Sequence, residues 1–135
     1  MTETADFKTS VLPNTNSLPV HVFEPGFPDL QNIEVGIVFV HAQWSGSSIV
    51  SLRRLTAALQ AVTGNDFYLF IVSTDAIDFE KFTKSYGKFP SGGGRGETFW
   101  IKNHSVVFAD GGFYKPDGER LLEQRIAQFF NCENK

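Results

Sequence analysis

The sequence predicts an α/β fold in which a mixed central sheet carries helices on both faces. Two segments, 34–41 and 67–72, are rich in β-branched and aromatic residues and almost continuously apolar, which is typical of strands buried on both faces. An amphipathic helical pattern separates them, so the two strands should pair in parallel. A strand–turn–strand pattern and a last helical pattern follow, and they predict an antiparallel C-terminal hairpin at the edge of the sheet.

The N-terminal part of the chain differs in character from the rest. Four prolines interrupt residues 1–30, so we predict an irregular N-terminal segment packed on a single domain of residues 31–135. Within the segment, Val20–Phe23 has the composition of a short edge strand. The first long helix should end at Gly64-Asn65. Its apolar residues recur at steps of three and four: Ile49, Leu52, Leu55, Leu59 and Val62.

Three further elements follow the second buried strand. A short helix is predicted from Asp78 to Tyr86, with Phe79 and Phe82 on the same side as Tyr86. The hairpin should turn at Asn103-His104. A last helix should begin near Asp117 and carry these residues toward the core: Leu121, Leu122, Ile126, Phe129 and Phe130.

Composition and charge exclude several classes of function. The 135 residues suit one domain, and 41% hydrophobic against 20% charged residues excludes global disorder. The formal charge of −3, from 12 Lys and Arg against 15 Asp and Glu, leaves no broad basic field for nucleic acid. No apolar run approaches the roughly 18 residues of a membrane helix, so we expect a soluble protein that binds neither nucleic acid nor membrane.

Cysteine and histidine usage argues against metal and disulfide chemistry. Cys132 is the single cysteine, and we interpret it as a thiol in a frayed tail rather than a redox centre. His21, His41 and His104 lie in three separate segments without metal-ligand spacing, so we expect no metal and no cofactor. The first residues are acidic and lack the apolar stretch of a signal peptide, which favours a cytoplasmic location.

The turn after the first buried strand carries a family resemblance. It reads Trp44-Ser45-Gly46-Ser47-Ser48 and resembles the active-site turn of the thioredoxin family, Trp-Cys-Gly-Pro-Cys. Asp75 ends the next strand, as an acidic or polar residue does in that family, and 98–103 resembles the strand and turn after the family's cis-proline. The resemblance covers about residues 33–130 in element order and implies a thioredoxin-like three-layer fold for the domain of residues 31–135.

Departures from the family pattern imply that disulfide exchange is absent. Ser45 and Ser48 replace the two cysteines, and a hydroxyl cannot attack or leave a disulfide sulfur as a thiolate does. Ser47 replaces the proline between them, while Phe39 and Glu97 stand at the positions of the buried aspartate and the cis-proline. Because four separate parts of the redox site are missing together, the resemblance implies a redox-inactive, non-catalytic protein.

The resemblance also implies a surface for binding another protein. In the family, the tryptophan before the motif is partly exposed and borders a groove that binds extended peptides. If Trp44 does the same, the chain keeps an aromatic contact surface without the reactive sulfur. We therefore predict a protein-binding face formed by 44–48 and the loops 75–77 and 95–98. Its candidate contact residues are Trp44, Ser45, Gly46, Ser47, Ser48, Asp75, Arg95, Glu97 and Thr98.

Other interpretations of these residues stay open. The serines are good residues for the start of a helix, and capping explains them without any ligand. A serine nucleophile would need a positioned base, and although His41 lies four residues before Ser45, no triad can be assigned. The glycine-rich loop 91–96, with Arg95, could bind an anion, but it precedes a strand rather than a helix, which favours a surface loop.

Two other functions compete with protein binding. One is an enzyme of the thioredoxin-like group that binds glutathione or another thiol cofactor, with Ser45 donating a hydrogen bond to the sulfur. Glu97 counts against it, because glutathione-binding relatives usually keep the cis-proline. The other is a toxin-neutralising, immunity-type inhibitor, which the small size and acidic balance permit and no residue requires. The sequence does not name the partner or the oligomeric state.

Overall fold

A computed structural model describes residues 20–23, 26–42, 44–62, 67–74, 77–90 and 94–131. Its strands are β1 (Val20–Phe23), β2 (Val35–His41), β3 (Tyr68–Ser73), β4 (Thr98–Lys102) and β5 (Ser105–Asp110). Its helices are α1 (Gly46–Gln60), α2 (Phe79–Tyr86) and α3 (Gly118–Asn131), and a short 3-10 helix spans Leu30–Asn32. The strands form one five-stranded sheet in the order β1-β3-β2-β4-β5.

The sheet is mixed, as the sequence predicts. β1, β3 and β2 are parallel, β4 is antiparallel to β2, and β5 is antiparallel to β4. The hairpin turns at Asn103 and His104, whose φ angles of 54° and 66° lie in the left-handed region that two-residue hairpin turns use. The predicted edge strand at Val20–Phe23 and the predicted hairpin are both confirmed.

Two apolar clusters, one on each face of the sheet, give the fold its three layers. On one face, α1 and α3 pack through residues such as Leu55 and Phe129 against Ile37 and Trp100. On the other face, α2 packs through Phe82 against a second set of strand residues, which includes Val38, Val40, Val72, Phe99 and Ile101. Buried residues of β2 contribute alternately to the two clusters, because successive side chains of a strand point to opposite faces of the sheet.

Leu121, predicted for the core, is exposed, and so is Phe79, predicted on the same side of its helix as the buried Phe82. Leu121 is 41% exposed because its neighbour Leu122 takes the core-facing position, and adjacent helical residues point about 100° apart. Phe79, at the first position of α2, is 47% exposed and contacts Phe89 at a ring-centroid distance of 5.2 Å.

α1 extends to Gln60, and the predicted stop signal at 64–65 lies outside the described residues. Within the described ranges, no helix combines the length and apolar character needed to cross a bilayer.

Candidate functional site

Ser45 stands directly before α1 and caps it. Its backbone is extended (φ −109°, ψ 120°), and its Oγ accepts a hydrogen bond from the amide of Ser48 at 3.3 Å. The carbonyl of Ser45 accepts from the amide of Ile49 at 3.1 Å, which begins the helical hydrogen-bond series. The capping interpretation is confirmed for this serine. Ser45 therefore lies at the amino end of a helix, the position where the resemblance puts the attacking cysteine.

Ser48 is fully buried and bonded inside the protein. Its relative exposure is 0%, and its Oγ accepts a hydrogen bond from the amide of Ala42 at 3.0 Å. The same oxygen lies 2.7 Å from Nδ1 of His41. These contacts join the end of β2 to the first turn of α1. A substrate cannot reach the hydroxyl of Ser48 in this conformation.

His41 is a buried, neutral partner of that serine. It is 2% exposed, and burial lowers the pKa of its imidazole to about 4. The ring is therefore uncharged at neutral pH. Its backbone carbonyl accepts from the amide of Thr74 at 3.0 Å, which holds the end of β2 against the end of β3.

Trp44 lies in the turn between β2 and α1 and faces solvent. The turn is closed by a hydrogen bond from the Ser45 amide to the Ala42 carbonyl at 3.0 Å. The indole is 68% exposed, so the expectation that Trp44 is partly exposed is confirmed. The inner edge of the ring lies over Gly94, where an added Cβ would be 2.8 Å from Cη2 of Trp44. Gly94 also has a φ of +79°, so a side chain here would clash with the indole and would also require an unfavourable backbone conformation.

Ser51 joins α1 to two loops beside Trp44. Its hydroxyl donates to the carbonyl of Arg95 at 3.2 Å and accepts from the amide of Phe113 at 2.9 Å. The guanidinium of Arg95 donates to the hydroxyl of Tyr114 at 3.3 Å. An added Cβ at Gly112 would be 2.1 Å from the carbonyl oxygen of Arg95, so only glycine fits there. Ser51 and Gly112 were not among the residues predicted for the site, although a glycine pair directly after a strand is a signal of close backbone approach.

Three of the predicted contact residues need correction, because their side chains are buried. Ser48, Glu97 and Thr98 each have a relative exposure of 0%. The carbonyl of Glu97 accepts from the amide of Val40 at 2.9 Å, and Thr98 pairs with Phe39 in the sheet. Thr98 therefore belongs to the sheet, Glu97 directly precedes it and is bonded to β2, and neither side chain lines the surface.

The candidates at the surface form a smaller set. Trp44, Gly46 and Arg95 are exposed, and Ser45 and Ser47 are half-buried. We call these five residues the Trp44 face. Of the predicted contact residues, Asp75 lies outside the described residues; Cys132 and positions 91–93 of the glycine-rich loop lie outside them as well.

The described part of the chain holds no group of three or more His, Cys, Asp or Glu side chains that could bind a metal ion. The expectation that the protein uses no metal and no cofactor stays a prediction. What the Trp44 face offers is an exposed indole, a cation and a helix N-terminus with its cap in place.

Solved structures with this fold include thioredoxins from two organisms. A mutant thioredoxin from Halobacterium salinarum NRC-1 superposes with a TM-score of 0.55 at 14% sequence identity, covering 84% of this chain and 95% of that one. The reduced thioredoxin pre-protein from Schistosoma mansoni gives a TM-score of 0.56 at 18% identity, covering 82% and 97%. The chain has a thioredoxin-like fold.

At these identities the likeness establishes the fold and leaves the chemistry to be argued from the site. No protein-family model matches the sequence, and no curated protein matches it. The two superpositions on thioredoxins confirm the thioredoxin-like, three-layer fold expected from the motif and the element order.

Proposed function

We propose that this chain is a non-catalytic thioredoxin-like module that binds another protein through the Trp44 face. The observation that carries the proposal is the contrast at the start of α1: an indole that is 68% exposed stands beside serine hydroxyls used as internal hydrogen-bond acceptors. The single cysteine of the sequence suits a reducing compartment, and we include a cytoplasmic location in the proposal.

The absence of redox activity follows from the chemistry of the two serines. Disulfide exchange needs a thiolate, which a helix N-terminus stabilises by lowering the thiol pKa. A hydroxyl at the same place stays protonated, and alkoxide is a far poorer leaving group from sulfur than thiolate. The hydroxyl oxygen of Ser45 accepts the capping hydrogen bond, and that of Ser48 lies out of reach of a substrate. Neither serine can therefore form or resolve a mixed disulfide.

Protein binding follows from the type and exposure of the remaining side chains. Tryptophan and arginine are the residue types most often found at the energetic centres of interfaces. Trp44 presents most of its ring to water while resting on the backbone of Gly94, so a partner would cover it without moving it far. Arg95 stands on the same loop as Gly94 and adds a charge that a partner can pair.

Assay of disulfide reduction tests the first part of the proposal. In the insulin precipitation assay with dithiothreitol, the purified protein should leave the rate at its uncatalysed level, while a thioredoxin in parallel accelerates it. The physical reason is that no thiolate stands at the amino end of α1. Turnover above background that Ser45→Ala or Ser48→Ala abolishes would contradict the proposal.

Affinity capture tests the second part. A partner captured from the native cell and identified by mass spectrometry should, once purified, bind Trp44→Ala at least about tenfold more weakly than the wild type. The melting temperature of Trp44→Ala should stay within about 2 °C of the wild type, because an exposed side chain contributes little to folding. Val107→Ala, which truncates a 44% exposed apolar side chain on β5, is the matched control and should bind normally. Equal binding by Trp44→Ala would remove the Trp44 face from the proposal.

The same material distinguishes the two competing functions. Retention on immobilised glutathione that Ser45→Ala abolishes would favour an enzyme that uses a thiol cofactor. A toxin as the captured protein, whose activity the wild type inhibits and Trp44→Ala does not, would specify the immunity-type inhibitor within the protein-binding class.

A further inference from the structure

The turn that carries Trp44 is hydrogen-bonded at both of its ends to the first turn of α1. The carbonyl of Ala42 accepts from the amide of Ser45 at 3.0 Å, and the amide of Ala42 donates to Oγ of Ser48 at 3.0 Å. The amide of Ser48 in turn donates to Oγ of Ser45 at 3.3 Å. Both backbone polar groups of Ala42 are therefore tied to serines of the motif, and Trp44 lies between the tied points.

His41 completes this arrangement from the strand side. Its Nδ1 lies 2.7 Å from Oγ of Ser48, and the ring is uncharged at neutral pH, so one tautomer accepts the serine hydroxyl hydrogen and the other donates to the oxygen. In both tautomers the oxygen of Ser48 is bonded to the imidazole as well as to the amide of Ala42, which fixes its position. Both side chains are no more than 2% exposed, so water does not compete for these bonds.

We propose that Ser48 and His41 are positioning residues that hold the Trp44 turn in a preformed conformation. A partner then meets an indole that is already placed, and binding does not have to order the turn. A thiol at position 48 would hold the turn less well, because sulfur is a weak donor and a weak acceptor. The proposal rests on the proposed function only in treating Trp44 as a contact residue, and its test needs no partner.

The experiment observes Trp44 directly in the full-length chain. Incorporation of 5-fluorotryptophan gives one ¹⁹F resonance each for Trp44 and Trp100, which Trp44→Phe assigns. In Ser48→Ala the Trp44 resonance should shift or broaden by more than its linewidth, while the resonance of the fully buried Trp100 stays in place. Ser85→Ala is the matched control, because it removes the hydroxyl of an exposed serine on α2, outside the Trp44 face, and it should leave both resonances unchanged.

Amide exchange of Ser45 supplies a second readout. This amide bonds to the carbonyl of Ala42 and not to the side chain of Ser48, so its exchange reports whether the turn loosens. Exchange of the Ser45 amide should become at least about tenfold faster in Ser48→Ala. The same increase is expected in His41→Gln, which replaces Ser48→Ala in the experiment if the alanine variant does not fold. The proposal would be overturned if the folded variants kept the Trp44 resonance and the Ser45 exchange rate of the wild type. It would also be overturned if the resonances of Trp44 and Trp100 changed equally. Loss of partner binding without either change would count against positioning alone and would leave the proposed function standing.

Discussion

Ser45 and Ser48 lie three residues apart at the start of α1 and have different roles. Ser45 is half-buried and caps the helix, whereas Ser48 is sealed between the helix and the end of β2. Loss of a capping hydroxyl costs about 1 kcal/mol, but a buried amide left without its acceptor costs about 1–3 kcal/mol. At the residue scale the motif is therefore a hydrogen-bonded joint between a strand and a helix.

His41 makes the stability of this joint depend on pH. Its folded-state pKa of about 4 is below the ordinary value of 6.5, so the unfolded chain takes up a proton at a pH where the folded protein does not. The folded state should therefore lose stability as the pH falls from about 6.5 to about 4, and this contribution should level off below that. At about pH 4.5 the loss from this group is roughly 2–3 kcal/mol, since one pKa unit is about 1.4 kcal/mol.

Urea unfolding of the wild type and of His41→Gln checks this prediction. The carboxylates titrate alike in both proteins, so the difference between their free energies of unfolding isolates His41. The advantage of the wild type should be largest near pH 7 and should shrink toward about pH 4.5. A difference that is the same at every pH would show that His41 does not titrate as its burial implies.

At the scale of elements, α2 shows how an amphipathic pattern is only partly realised. The sequence predicts Phe79, Phe82 and Tyr86 on one side of this short helix. Phe82 and Tyr86 are buried, and their rings stack at a centroid distance of 4.4 Å. Phe79 stands at the first position of the helix, where Asp78 caps the chain and no neighbouring element covers the whole ring. The helical spacing of the three residues is as predicted, but a residue at the end of a helix has fewer neighbouring segments to cover its side chain.

Two alanine variants of this helix should therefore behave differently. Phe82→Ala should lower the free energy of unfolding by about 3–5 kcal/mol, because it leaves a cavity among the rings of Phe27, Tyr86 and Phe99. Phe79→Ala, in the same helix, should lower it by about 1 kcal/mol or less, because the ring is 47% exposed. Urea unfolding measures both, and similar losses would show that the two phenylalanines contribute equally to the core.

At the scale of the whole molecule, β1 extends the sheet beyond the domain predicted from residue 31. Val22 pairs with Ile71 in parallel register, and Val20 and Val22 pack against the cluster beneath α1 and α3. Phe23 and Phe27 pack against the cluster on the opposite face. The division of the chain at residue 30 stays a prediction, although the structure brings part of the segment 1–30 into both cores.

A charge placed on β1 tests how much the molecule depends on this strand. Val22→Asp puts a carboxylate against the core and should lower the melting temperature by about 5 °C or more, as expected for a loss of about 2 kcal/mol or more in a domain of this size. His21→Asp is the control on the same strand: His21 is exposed and its ring contacts Tyr68 and Phe70 at centroid distances of 5.3 and 5.6 Å, so the substitution should lower the melting temperature by less than Val22→Asp does. Thermal unfolding followed by circular dichroism measures both, and equal melting temperatures would mean that β1 adds little to the fold.

Some features of the candidate site depend on residues close together in the sequence, and others depend on contacts between distant segments. The cap at Ser45 was predictable from the residue types at a helix start, and the resemblance to the thioredoxin turn implied the exposure of Trp44. The burial of Glu97 and Thr98 was not, because it depends on pairing with β2. The bonds from Ser51 to the segments at 95 and 113 join residues 44 and 62 positions apart, and no periodicity in the sequence signals them.

The sequence by itself determined the order of strands and helices, the hairpin turn, and the replacement of both motif cysteines by serine. Each of these depends on side-chain type or on spacing within a few residues, because propensity, capping and hydrophobic period act over one or two turns of chain. Only the tertiary structure decided that one serine caps α1 at the surface while the other is buried against His41. The physical reason is that burial and buried hydrogen bonds arise where distant segments meet, and the sheet order sets those meetings.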